Sequence, residues 1–176
     1  MSWYEASSEP ETVEHGRVSG LAVTGRGEPG GAAYGESVSA VYAVLGALGA
    51  PMVPLEGRWW VEDERSPFDV PRDEWRWHMF LRVPDDIASI ARAREEARAG
   101  VPAAARVQHV THNDGLCVQM LHSGLYSDEP ASLARMDALM EAKGLVVNGL
   151  HHEIYLSDPA ETDPEKMRTI LRQPVR

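Results

Sequence analysis

Cysteine is almost absent: Cys117 is the single one in 176 residues, so the chain holds no disulfide framework and must bury its core without covalent staples. Cys117 lies in the alternating run Leu116-Cys-Val-Gln-Met-Leu-His122, where it reads as a small buried hydrophobe and not as a nucleophile. Lysine is nearly as scarce, with only Lys143 and Lys166. The 17 basic residues fall short of the 27 acidic ones, leaving a formal charge of −10. Phosphate contacts need clustered Lys and Arg, which no segment provides, so a nucleic-acid partner is excluded. No run of 18 apolar residues occurs, and Met1-Ser-Trp-Tyr-Glu-Ala lacks the basic start and apolar core of a secretory leader. A membrane partner is therefore not expected, and the location expected is cytoplasmic.

Against these scarcities stand periodic apolar segments. Arg17 to Thr24 alternates as a strand and leads into the loop Gly25-Arg-Gly-Glu-Pro-Gly-Gly31. Val38, Val41, Tyr42, Leu45 and Leu48 recur at helical spacing until Gly49 and Pro51 stop them. Met52 to Val61 and Trp75 to Val83 read as strands. Asp85 to Ala99 reads as a surface helix with Ile87, Ile90 and Ala91 inward. The order then recurs: strands over Arg106 to His112 and Leu116 to His122, a helix over Glu129 to Lys143 ended by Gly144, and strands near Val146 to Leu156 and Met167 to Gln173.

Strand, helix and hairpin thus appear twice, about 17–83 and 104–175, with a connector over 84–100 and an acidic, flexible lead over 1–16. Each half carries a glutamate in the first strand of its hairpin, Glu56 and Glu153. Such modules define an α+β fold in which a mostly antiparallel sheet has helices on one face. The face away from the helices is expected to hold the site.

The sharpest chemical signal is Leu150-His-His-Glu-Ile-Tyr155. Strand alternation puts His151, Glu153 and Tyr155 on one face and His152 and Ile154 on the other. A mid-strand carboxylate is costly to bury without partners. Of five tryptophans, Trp59, Trp60, Trp75 and Trp77 fall in one predicted hairpin, more aromatic surface than two modest helices cover. An aromatic wall with a few polar groups, Glu153, Tyr155, Tyr126 and His122 among them, suits a small aromatic or cationic molecule. No metal is expected, because His151 and His152 point to opposite faces, and no cofactor motif is present.

Together, Pro54-Leu-Glu-Gly-Arg-Trp-Trp60, Trp75-Arg-Trp77, Val118-Gln-Met-Leu-His-Ser-Gly-Leu-Tyr126, Asp128-Glu-Pro130, His151-His-Glu-Ile-Tyr-Leu-Ser-Asp-Pro159 and Thr169-Ile-Leu-Arg172 resemble the GyrI-like small-molecule-binding family, in order from about Leu21 to Val175. The resemblance implies two strand-helix-strand-strand modules related by a pseudo-twofold axis, with a ligand cleft. It further implies similarity to the stand-alone branch that includes cyclopropanoid cyclopropyl hydrolases, which add water to the strained ring of DNA-alkylating natural products. On that reading Glu153 is the general base, Tyr155 and Tyr126 position the water or donate a hydrogen bond, Trp59, Trp60, Trp75 or Trp77 stacks the flat substrate, and Glu56 is the symmetric competitor of Glu153. The alternative is a binding module without chemistry. A weaker implication, from the family's founding name, is contact with a topoisomerase.

Overall fold

The computed structural model describes residues 2–65, 67–84, 87–158 and 161–176. The chain divides into two compact units, one built from 1–17 and 113–176, the other from 18–112. Each runs strand, helix, strand, strand in an antiparallel sheet, as expected for the α+β class.

The unit over 18–112 takes most of β1 (Glu11–Arg26), then α1 (Ala32–Ala47), β2 (Leu55–Trp60), β3 (Arg76–Arg82) and α2 (Ile87–Ala97). β3 is central, pairing with β1 through Gly25 opposite Trp77 and with β2 through Trp59 opposite Trp77. Residues directly opposite share a face, so Val23, Met79 and Gly57 form one row on the side of Trp77, while Ala22, Phe80 and Glu56 form a row on the other. α1 buries Ala40, Val41, Val44 and Leu45 against β3. It ends where Gly49 takes φ +64°, a left-handed conformation that glycine adopts without strain. In α2 the inward residues are Ile90 and Ala93; Ala91 is exposed, because a helical face selects positions three apart here. The expected start of this helix at Asp85 and the side chain of Ile87 lie outside the described residues.

The other unit contains the remainder of β4 (Gln108–Ser123), α3 (Glu129–Lys143), β5 (His151–Tyr155) and β6 (Arg168–Pro174), with β6 central. Val118, Met120 and Leu171 from the sheet and Met136 and Met140 from α3 form its core. α3 has Pro130 in its first turn and Gly144 in the left-handed conformation at its end, the two terminators visible in the sequence.

Three expectations change. The strands expected over 106–112 and 116–122 are one continuous strand, β4, which passes through Gly115 at φ +62°. β1 begins at Glu11 instead of Arg17. The segment ahead of it, expected as a flexible lead, is held in place: Trp3 is buried, Leu121 N–H donates to the Ser7 carbonyl, and Arg172 Nη2 donates to the Trp3 carbonyl at 3.0 Å. The lead's acidity concealed one large apolar side chain, and that anchors it.

Candidate functional site

In the unit containing β5, strand alternation does what the sequence implies. His151, Glu153 and Tyr155 share a face, and the Tyr155 hydroxyl donates to Glu153 Oε2 at 2.7 Å. His151 Nε2 lies 3.4 Å from Glu153 Oε1, and the Glu153 side chain retains 15% exposure. Tyr155 therefore holds the carboxylate, fixing one oxygen while the other faces His151. The Tyr126 ring meets Tyr155 edge-on, with centroids 6.0 Å apart and planes at 89°. Tyr126 is itself 48% exposed.

The face differs from the expected one. Glu153 pairs opposite Leu171, which pairs opposite Met120, and both belong to the core that α3 covers. Glu153 and Tyr155 thus stand on the helix-bearing side of their sheet, near the end of α3 that begins with Glu129.

His122 explains how that end is positioned. Its Nε2 donates to the Leu125 carbonyl at 3.0 Å, leaving Nδ1 for the Ser132 hydroxyl at 2.9 Å. With both ring nitrogens engaged, His122 ties β4 to the 3-10 turn at Tyr126–Asp128 and to α3. It positions Tyr126 and Glu129.

Glu129 is the residue that sequence reasoning missed. Its Oε1 is fully buried and has no hydrogen-bond partner. Burial, and secondarily the nearby Glu153 carboxylate, push the Glu129 pKa up to about 9. A helix N-terminus favours an anion by about 1 kcal/mol or less at an exposed position, too little to oppose this. Tyr126 has its pKa raised by burial first and then by Glu129 and Glu153. The only sequence signal was Asp128-Glu-Pro130, which reads equally well as an ordinary helix start. The result is two carboxyl groups on the same helix-bearing side, bordered by two tyrosines.

The tryptophans other than Trp3 belong to the unit over 18–112. In the unit over 18–112, Trp59 stacks with Tyr34 of α1 at 6.2 Å and 15°, meets Trp75 at 6.0 Å and Trp77 at 6.1 Å, and Tyr34 meets Trp77 at 5.9 Å. Trp77 is fully buried, whereas Trp75 is half-buried and donates its indole N–H to the Val70 carbonyl at 3.2 Å. Trp60 is separated from the other three by alternation and lies 4.7 Å from the His78 ring.

Glu56 is fully buried on the strand face that Trp60 shares, opposite Phe80. In the repeated register Trp59 holds the position of Tyr155, since each lies one row before the last: Gly25–Trp77–Trp59 precedes Arg26–Arg76, and His122–Thr169–Tyr155 precedes Ser123–Arg168. Two residues earlier, Gly57 holds the position of Glu153. Glu56 corresponds to His152, so the strands carry no symmetric pair of glutamates. The acidic group belongs to one repeat and the tryptophan cluster to the other.

Among the described residues, no group of three or more His, Cys, Asp and Glu could hold a metal ion. Among the same residues, no helix is long and apolar enough to cross a membrane.

Two antiparallel strand-helix-strand-strand units, one presenting a carboxyl pair among tyrosines, define a small-molecule-binding class. The GyrI-like small molecule binding domain matches residues 64–176, and the chain belongs to this family. It is similar over 99% of its length to an uncharacterized conserved protein from Listeria innocua, at 37% identity and TM-score 0.88, covering 95% of that chain. A hydrolase from Listeria innocua is 35% identical with TM-score 0.84, again covering 99% of this chain and 95% of that one. The EcmrR C-terminal domain shares the fold at 10% identity, with TM-score 0.68 and coverage of 96% of this chain and 97% of that one. No curated protein matches the chain.

Proposed function

We propose that this chain hydrolyses the strained ring of an electrophilic aromatic compound, a cyclopropane conjugated to a carbonyl, and so protects against DNA-alkylating natural products. The observation that carries this is the Tyr155 hydroxyl bonded to Glu153 Oε2 at 2.7 Å, with Glu153 only 15% exposed. A carboxylate so oriented retains Oε1 for a water molecule. As general base it removes a proton while the water oxygen bonds to the ring carbon, and the ring electrons pass to the conjugated carbonyl of the substrate. General-base catalysis of this kind contributes roughly 10² to 10⁴-fold. Tyr126, half exposed beside Tyr155, offers a ring edge and face to a flat substrate. The hydrolase from Listeria innocua, 35% identical over nearly the whole chain, supports hydrolysis as the reaction class.

A second reading has its own observation. Two carboxyl groups and two tyrosines in one place, on a chain of charge −10, suit a cationic aromatic ligand held without chemistry.

Incubation of wild-type protein and Glu153→Gln with a cyclopropane-bearing alkylator, followed by mass spectrometry of the small molecule, separates the readings. Gain of one water with wild type alone is the expected result. Unaltered compound despite measurable binding would leave the binding module.

A further inference from the structure

The cyclopropane reaction leaves one group unused. Its electrons go to a conjugated carbonyl of the substrate, which can carry the charge without a proton from the protein. Yet Glu129 presents a buried carboxyl oxygen without a partner, in the first turn of α3, on the side of the sheet where Glu153 stands. Burying such an oxygen is unfavourable unless something bonds to it. We propose that Glu129 and Glu153 act as an acid and base pair that hydrolyses aryl epoxides, a substrate class whose leaving oxygen must be protonated. This rests on Glu153 as the base of the proposed function and extends it by a second reaction.

The atoms balance as follows. Glu129 gives its proton to the epoxide oxygen as the carbon–oxygen bond breaks. The oxygen of a water held at Glu153 Oε1 bonds to that carbon, and Glu153 takes a proton from the water. The product is a vicinal diol, one water heavier than the epoxide. Glu153 then carries the proton that Glu129 lost, and exchange through water returns it. No oxidant, reductant or metal is required.

Three features make this pairing credible at the site. Burial and the Glu153 charge keep a proton on Glu129 at neutral pH. The Tyr155 hydroxyl donates to Glu153 Oε2 at 2.7 Å and so orients the second carboxyl of the pair. The Tyr126 ring meets Tyr155 edge-on, and Leu125, next to Tyr126 in sequence, is 39% exposed. That apolar border suits an aromatic hydrocarbon better than a small polar epoxide.

Styrene oxide and a cyclopropane-bearing alkylator are offered separately to wild-type protein and to Glu129→Gln in ¹⁸O-labelled water. Wild type is expected to yield phenylethanediol carrying one ¹⁸O, with kcat/KM declining above about pH 9 as Glu129 loses its proton. Glu129→Gln keeps a hydrogen-bond donor but no transferable proton, and its kcat/KM for styrene oxide should drop at least about 10²-fold. Its melting temperature confirms folding. If the alkylator gains water while styrene oxide persists, the epoxide inference fails and the proposed function stands. If Glu129→Gln opens styrene oxide as fast as wild type, the acid role is overturned. If wild type alters neither compound, both proposals fail together.

Discussion

Tyr155 and Glu153 are bonded within a single strand, the phenol donating to the carboxylate two residues away at 2.7 Å. Same-face neighbours along a strand rarely bond so closely unless both side chains lean toward each other. Here one is buried and the other nearly so. Tyr155→Phe removes the donor without changing the ring. A hydrogen bond to a charged group is worth about 1.5 to 3 kcal/mol, so turnover of the alkylator should fall about 10- to 100-fold. Steady-state kinetics should place the loss mainly in kcat; an unchanged kcat would deny Tyr155 any part in holding the base.

Glu129 makes stability depend on pH. Its folded pKa of about 9 lies above the ordinary value of 4.5. The contribution of this group is fully present below about 4.5, where both states hold the proton, and is lost as pH rises towards about 9. One proton of difference gives a slope of at most about 1.4 kcal/mol per pH unit. Urea melts between pH 5 and 9 should show wild type losing stability relative to Glu129→Gln. Parallel curves would mean that Glu129 is not held protonated.

Arg172 anchors the amino-terminal segment. It is fully buried, donates from Nε to Gln119 Oε1 at 3.0 Å and from Nη2 to the Trp3 carbonyl at 3.0 Å, and lies 4.4 Å from the Trp3 ring centroid. Arg172→Ala removes two hydrogen bonds from a charged group, each worth about 1.5 to 3 kcal/mol, and should cost about 3 to 6 kcal/mol in a denaturant melt. The His15 pKa is lowered first by burial and next by Arg172. In a gentler variant, Arg172→Gln, an NMR titration should show the His15 value rising; a fall would contradict the electrostatic coupling.

Two glycines of one unit should respond oppositely. A Cβ on Gly25 would stand 2.7 Å from the Trp77 ring, which Trp59 and Tyr34 hold in place. Gly25→Ala should destabilise by about 1 to 3 kcal/mol through overpacking. Gly35, exposed within α1, has nothing within 4 Å of such a Cβ, and Gly35→Ala should stabilise by about 0.5 to 1 kcal/mol. Thermal melts that move both variants the same way would contradict the packing described around Trp77.

Much of this organisation was legible in the sequence because it rests on local rules. Pro130 and Gly144 marked the ends of α3, and period-two alternation put Glu153 and Tyr155 together. What escaped depends on tertiary burial. Nothing in Asp128-Glu-Pro130 says that Glu129 will be desolvated. No spacing unites Trp3, His15, Gln119, His152 and Arg172, which are distant in sequence yet meet in one buried network. The expected match of Glu56 with Glu153 failed for a related reason. Equivalence between repeats is set by strand register, and the presence of a glutamate in the first strand of each hairpin does not reveal it.

Register also limits how this protein can change. With side chains alternating at a period of two, removing one residue from 146–150 and letting β5 slide to compensate would carry Glu153 and Tyr155 to the far side of the sheet and bring His152 and Ile154 to the α3 side. Composition would be nearly untouched, but the acid and phenol would be gone from the site as a pair. Point substitution can therefore grade the chemistry of this face in small steps, whereas a single-residue insertion or deletion ahead of β5 acts on it as an all-or-none event.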